Sequence, residues 1–297
     1  MKNIGMLEYV SCNYCNSNDY RKRYVKEGFQ IVQCRKCGLI YVNPRLKEKS
    51  IHQLYDEDYF SGKGFDKSID YKSEVEVKMK HADLLDWDLS AIKEMSSQIN
   101  EGNPKILDVG CGMGLFLSKA KKKGFDAEGL ELSPYASKFV SLLGIKIQNK
   151  SIEEADLKAG QYSAVVMREV VEHLNDPTKA LTKIYSSIKN DGILFITTGN
   201  YNCIERRLKK SNWHYFMPKG HIYIFSSKTI KKYLEKVGFK RVIVTNQGDL
   251  LMDLLLKYKI IEVENLKPKN LLKRIVFRLV QFINHFISSG LRVYAIK

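Results

Sequence analysis

At 297 residues and 44% hydrophobic composition, the chain is long enough for one sizeable α/β core plus a smaller satellite module. Its 49 Lys plus Arg against 33 Asp plus Glu leave a formal charge of +16, which favours anionic partners (nucleic acid, phospholipid headgroups or phosphorylated substrates) without choosing among them. A membrane span of about 18 uncharged apolar residues is excluded, and the opening MKNIGMLEYVSC lacks the apolar stretch of a secretory signal, so a cytoplasmic location is expected.

The first segment, residues 1–45, carries Cys12 and Cys15 as one CxxC pair and Cys34 and Cys37 as another, with 18 residues between the pairs. In a reducing compartment such pairs suggest a metal rather than disulfides. The spacing matches a four-cysteine zinc ribbon, in which four thiolates close a tetrahedron and leave no open position, so the expected zinc is structural. Residues 46–103 are charged and aromatic and then helical in pattern (VEVKMKHADLLDWDLSAIKEMSSQI), which predicts a helical linker or cap. The boundary is sharpest at NEGNP, Asn100 to Pro104.

From residue 104 to 297 strands and helices alternate. KILDVG, DAEGLEL, IKIQNKS, YSAVVMREV, GILFITTG, KRVIVTNQ and a final LRVYAIK read as strands, with helices at LFLSKAKKKG, SPYASKFVSLLG, PTKALTKIYSSIK and SKTIKKYLEKVG. This order predicts a Rossmann-like, doubly wound parallel sheet whose ligand sits at the strand C-termini. An amphipathic insertion is expected at about 250–289. Within residues 267–289, Leu271, Leu272, Ile275, Val276, Leu279, Val280, Ile283, Phe286 and Ile287 form an apolar stripe, with Lys273, Arg274, Arg278 and His285 opposite. Such a helix suits packing on the sheet or a homodimer contact, which is the preferred reading, or an anionic membrane surface, which would place the protein at the inner face of the membrane.

Leu107 to Gly114 reads LDVGCGMG, an apolar strand running into a turn where Gly110, Gly112 and Gly114 permit close approach of backbone to ligand. The spacing is GxGxG with Asp108 just before it, unlike the GxGxxG of pyrophosphate binders, and suits a cofactor bearing an ammonium and a carboxylate. Glu131 ends the second strand, where a carboxylate can accept hydrogen bonds from both hydroxyls of a ribose.

With DVGCGMG, GLELSPYA and VVMREVVEHLNDP together, the chain resembles class I S-adenosylmethionine-dependent methyltransferases over roughly Lys105 to Phe239. The resemblance implies that Asp108, Gly110 and Gly112 line the methionine end of the cofactor, with Cys111 and Gly114 also among the cofactor-binding residues. Glu131 would hold the ribose, Leu132 would flank the adenine, and Ser151 and Ile152 would meet its edge. Glu169 would contact the cofactor or shape the pocket. Arg168 is grouped with the cofactor residues, with an acidic substrate or a neighbouring carboxylate as its other partners.

Methyl transfer needs alignment and, for a hydroxyl or acidic carbon, a base; His173 and His221 lie where the family's loops border the acceptor pocket. The aromatic stretch NWHYFMPKGHIYIF, with Trp213, His214, Tyr215, Phe216, Tyr223 and Phe225, reads as an acceptor lid or as ordinary packing. A zinc ribbon before such a core resembles a broad set of bacterial methyltransferases of sugars, surface-glycan intermediates and secondary metabolites. A small-molecule or lipid-linked acceptor is therefore expected. Two alternatives stay open: an RNA methyltransferase, disfavoured because MREVVEHL lacks the Asn/Asp-Pro-Pro-aromatic pattern, and a non-catalytic binding protein, disfavoured by the intact Asp108, Gly110, Gly112 and Glu131.

Overall fold

The computed structural model describes residues 6–64, 82–95, 102–247 and 288–297. The N-terminal module is a ribbon of short strands: Leu7–Glu8 (β1), Tyr20–Lys26 (β2), Phe29–Cys34 (β3), Ile40–Val42 (β4) and Arg45–Leu46 (β5). Glu27 and Gly28, both at positive φ, make the tight turn between β2 and β3. Each CxxC closes on itself through one amide, Asn16 N–H to the Cys12 carbonyl (2.8 Å) and Gly38 N–H to the Cys34 carbonyl (3.0 Å). Short helices Glu48–His52 and Glu57–Phe60 follow, and then the helix Ala82–Met95.

In the core, Lys105–Val109 (β6), Asp126–Leu130 (β7), Lys146–Gln148 (β8), Tyr162–Arg168 (β9) and Ile188–Gly199 (β10) are joined by the predicted helices. Tyr223–Ile224 (β11), Arg241–Gln247 (β12) and Gly290–Ile296 (β13) complete the strands. The seven-stranded sheet runs β12-β13-β10-β9-β6-β7-β8. The pairs from β10 through β8 are parallel, as expected, and β13 lies antiparallel between β10 and β12. Central strand β9 reads as a continuous buried run because helices cover both sheet faces.

The ribbon is not freestanding. β11, from the core, pairs with β4 (Tyr223 opposite Tyr41, Ile224 opposite Ile40) and completes a four-stranded sheet in the order β11-β4-β3-β2. Behind that sheet Ile31 and Ile40 share an apolar cluster with Trp213, Phe216 and Tyr201. Asn13, between the first two cysteines, reaches the helix Pro177–Ser187: its amide donates to Asp176 (2.8 Å) and its carbonyl accepts from Thr178 Oγ1 (2.8 Å) and Tyr233 OH (3.2 Å). Arg45, 6% exposed, binds Glu8 (2.8 Å), the Asn175 carbonyl (3.0 Å) and Tyr223 OH (3.1 Å).

The amphipathic stretch with Lys273, Arg274, Arg278 and His285 lies outside the described residues. No described helix is long and apolar enough to cross a membrane. Replacing Asn13 by Ala strips Asp176, Thr178 and Tyr233 of a partner at a partly buried seam and should lower stability by about 1–3 kcal/mol. Urea unfolding checks this; a midpoint equal to wild type contradicts the clasp.

Candidate active site

The cofactor half is built at the C-terminal ends of β6 and β9, where strand order reverses and an open α/β sheet leaves a crevice. The turn after β6 is drawn against β7 by Gly110 N–H and Cys111 N–H, both donating to the Leu130 carbonyl (2.7 and 3.2 Å). Gly110 sits at φ +68°, and a Cβ there would lie 2.5 Å from Val170 Cγ2. Glu131 spans the next gap: its carboxylate accepts from Gly112 N–H and from Ser133 N–H, each at 2.8 Å. Burial pushes its carboxyl up, and those amides pull it back. Asp108, 3% exposed, is pushed up to about 7 by burial, with Arg168 opposing and Glu131 adding to the shift.

One cleft of about 750 Å³ collects Asp108, Gly110, Cys111, Gly112, Glu131, Leu132, Ser151, Ile152, Arg168, Glu169, His173 and His221. Gly114 is not on its wall. At φ +83° it forms the N-cap of the helix Leu115–Lys122 and packs on Val140 and Leu143.

Across the cleft from the glycine turn the two histidines meet, ring centroids 4.7 Å apart and planes at 70°. His221 Nδ1 lies 2.8 Å from the Tyr215 carbonyl. A carbonyl only accepts, so Nδ1 carries the proton and Nε2 is the basic nitrogen. Burial, reinforced by His173, holds the ring well below the usual histidine range. His173 Nδ1 lies 2.8 Å from Tyr55 OH and 3.0 Å from the Gly220 carbonyl. Below them Glu172, fully buried, accepts from Thr198 Oγ1 (2.9 Å) and from Tyr215 OH. Burial and then Glu169 push the Glu172 carboxyl well up.

The aromatic lid divides in two. His214 and Tyr215 face the cleft, whereas Trp213, Phe216, Tyr223 and Phe225 are buried in the packing beneath the ribbon. Tyr55, Tyr59 and Phe60 line the cleft from the segment following the ribbon. Their only sequence signal is aromatic residues inside the acidic run LYDEDYF.

All four ribbon sulfurs lie within 4.8 Å of one another, with Cys12 to Cys37 at 3.4 Å and Cys15 to Cys34 at 3.5 Å, and none is in a disulfide. A zinc tetrahedron with Zn–S near 2.3 Å has sulfur edges of about 3.8 Å, so the residues fit that ion. Among the described residues Glu172, His173 and His221 form the other group of donors this close.

Together the sheet, the glycine turn under Glu131 and the paired histidines define a Rossmann-like domain with a cleft that runs from the turn to the histidines. The family described as Methyltransferase domain matches residues 81–244, and the chain belongs to that family. It is 30% identical over 139 residues to the ubiquinone biosynthesis O-methyltransferase of Bordetella avium, a stretch covering 43% of this chain and 55% of that one. Similarity to the mitochondrial ubiquinone biosynthesis O-methyltransferase of Mus musculus reaches 41% over 106 residues, 32% of this chain and 29% of that one. The chain spans about half the length of the first curated relatives it matches. In fold it is similar to a SAM-dependent methyltransferase from Archaeoglobus fulgidus (TM-score 0.53, 19% identity, 77% of this chain and 100% of that one). It is likewise similar to the plantazolicin methyltransferase BpumL in complex with SAH (TM-score 0.51, 17% identity, 84% and 96%).

If the four thiolates hold one metal, Cys34→Ser protein purified with zinc present should lose nearly all of the one zinc per chain found in wild type and melt at lower temperature. Elemental analysis decides; unchanged zinc content refutes the four-thiolate site.

Proposed function

We propose that the chain transfers a methyl group from S-adenosylmethionine to a hydroxyl of a small-molecule or lipid-linked acceptor, with His221 as the base. The observation that carries this reading is the locked, neutral imidazole of His221 on the same cleft wall system as the Gly110–Gly112 turn and Glu131. A sugar or surface-glycan acceptor follows from the ribbon-plus-core resemblance. The relatives named for ubiquinone biosynthesis, themselves O-methyltransferases, support oxygen as the accepting atom.

The bound cofactor supplies an electrophilic methyl on a sulfonium. Glu131 would hold the ribose hydroxyls, Leu132 would flank the adenine with Ser151 and Ile152 at its edge, and the backbone at Gly110, Cys111 and Gly112 would admit the methionine portion. His221 Nε2 would take the acceptor's proton as its oxygen meets the methyl in line, so the oxygen builds up no positive charge as its new bond forms. His173, fixed between Tyr55 and the Gly220 carbonyl, orients the acceptor or its hydroxyl. Cys12, Cys15, Cys34 and Cys37 would hold a structural zinc that braces the ribbon beside the pocket.

Replacing His221 by Ala should lower transfer of labelled methyl at least about 100-fold while leaving the cofactor Kd within about twofold. Retained turnover removes the base role. Gly110→Ala, by contrast, drives a methyl group into Val170 and should weaken cofactor binding at least about 10-fold; unchanged affinity removes the turn from the site.

The pH dependence has a defined sign. Burial lowers the His221 pKa, so its basic form persists below the usual value of about 6.5, and the acid limb of kcat/KM belongs below that pH. An acid limb with a midpoint above 7 that disappears in His221→Ala contradicts the environment described.

A further inference from the structure

Arg168 ends β9 on the cleft wall beside Phe116, with its guanidinium 5.6 Å from the centre of that ring and its side chain one-third exposed. Its nearest carboxylate is Asp88, on the helix Ala82–Met95: Arg168 Nε lies 3.7 Å from Asp88 Oδ2, close enough for charge pairing but too long for a hydrogen bond. Asp88, 3% exposed, already holds Arg292 of β13 at 3.1 Å. One buried carboxylate thus faces two guanidinium groups. Arg168 Nε is buried without a hydrogen-bond partner among the described residues. The same guanidinium acts electrostatically on Asp108, at the foot of the glycine turn, and the two residues line the same cleft, so it offers an anion-seeking and a cation-seeking group.

We propose that Arg168 is the receptor for the α-carboxylate of the cofactor's methionine portion, and that Asp88, through Arg168, is a positioning residue that aims it. This rests on reading the cleft as a S-adenosylmethionine site. A zwitterionic amino acid end matches the Asp108–Arg168 pair in both signs, and a planar guanidinium can grip a carboxylate with two parallel N–H donors. Stacking on Phe116 and the pull of Asp88 hold the guanidinium in place before the ligand arrives, which limits the ordering cost of binding.

The test compares S-adenosylmethionine with decarboxylated S-adenosylmethionine, which keeps the sulfonium, the amine and the nucleoside, by calorimetric titration of the full chain. Wild type should bind the intact cofactor about 10- to 100-fold more tightly. Arg168→Met should erase that preference by weakening the intact cofactor alone, Arg168→Lys should restore part of it, and Asp88→Asn should reduce it about 3- to 10-fold through misaiming. Should Arg168→Met fold poorly, the Lys and Asn variants carry the comparison, because a structural defect weakens both ligands equally. Equal weakening of both ligands overturns the proposal. So does undiminished preference in Arg168→Met, the result expected if the guanidinium instead serves an acidic acceptor. Wild type binding neither ligand would overturn the cofactor reading itself, a different failure from the loss of discrimination.

Discussion

The geometry of the active-site end depends on a junction of backbone hydrogen bonds around Ile222. Val42 of the ribbon donates to the Ile222 carbonyl (3.0 Å), while Ile222 N–H and Tyr223 N–H both donate to the Glu172 carbonyl (3.0 and 3.1 Å). Three segments distant in sequence therefore meet at one point: the ribbon, the loop after β9 that carries His173, and the Ile222–Tyr223 segment that follows His221. Buried amides and carbonyls must be paired, so none of the three can shift without exposing the others. The close approach of the two imidazoles follows from this constraint.

Around that junction the cleft separates into two electrical regions. At the glycine turn, Asp108, Glu131, Arg168 and the Asp88–Arg292 pair place opposite charges close together in a largely buried setting, where their interactions are strong and their arrangement is set before a ligand arrives. At the other end burial disfavours charge: it lowers the His221 pKa and, with the nearby Glu169, raises that of Glu172. A zwitterionic, cationic cofactor suits the first region. A neutral hydroxyl that must surrender a proton suits the second, since an unprotonated imidazole is waiting for it.

Much of this was legible in the sequence, for local reasons. LDVGCGMG, Glu131 and the two CxxC pairs are motifs whose geometry is fixed by residues within one turn of chain, and the structure brings each set together. The alternation of strand and helix likewise announced the sheet, including the last strand LRVYAIK, although no local signal reports that β13 runs antiparallel. What escaped notice depends on tertiary packing. β11 is two residues long and takes its identity from β4; Asn13 looks like a spacer between cysteines until its partners Asp176, Thr178 and Tyr233 are placed beside it; Tyr55 meets His173 across 118 positions. Trp213 and Phe216 read equally well as lid or core, and it was the ribbon's apolar underside that claimed them. Gly114, the third glycine of the LDVGCGMG turn, also caps the following helix.

The most direct test of the account is a crystal structure of the protein grown with S-adenosylhomocysteine. The account predicts the ligand in the single cleft, its ribose hydroxyls on the Glu131 carboxylate and its thioether sulfur turned toward the His173–His221 end. Ligand density away from Glu131, or a sulfur directed away from both histidines, would contradict it.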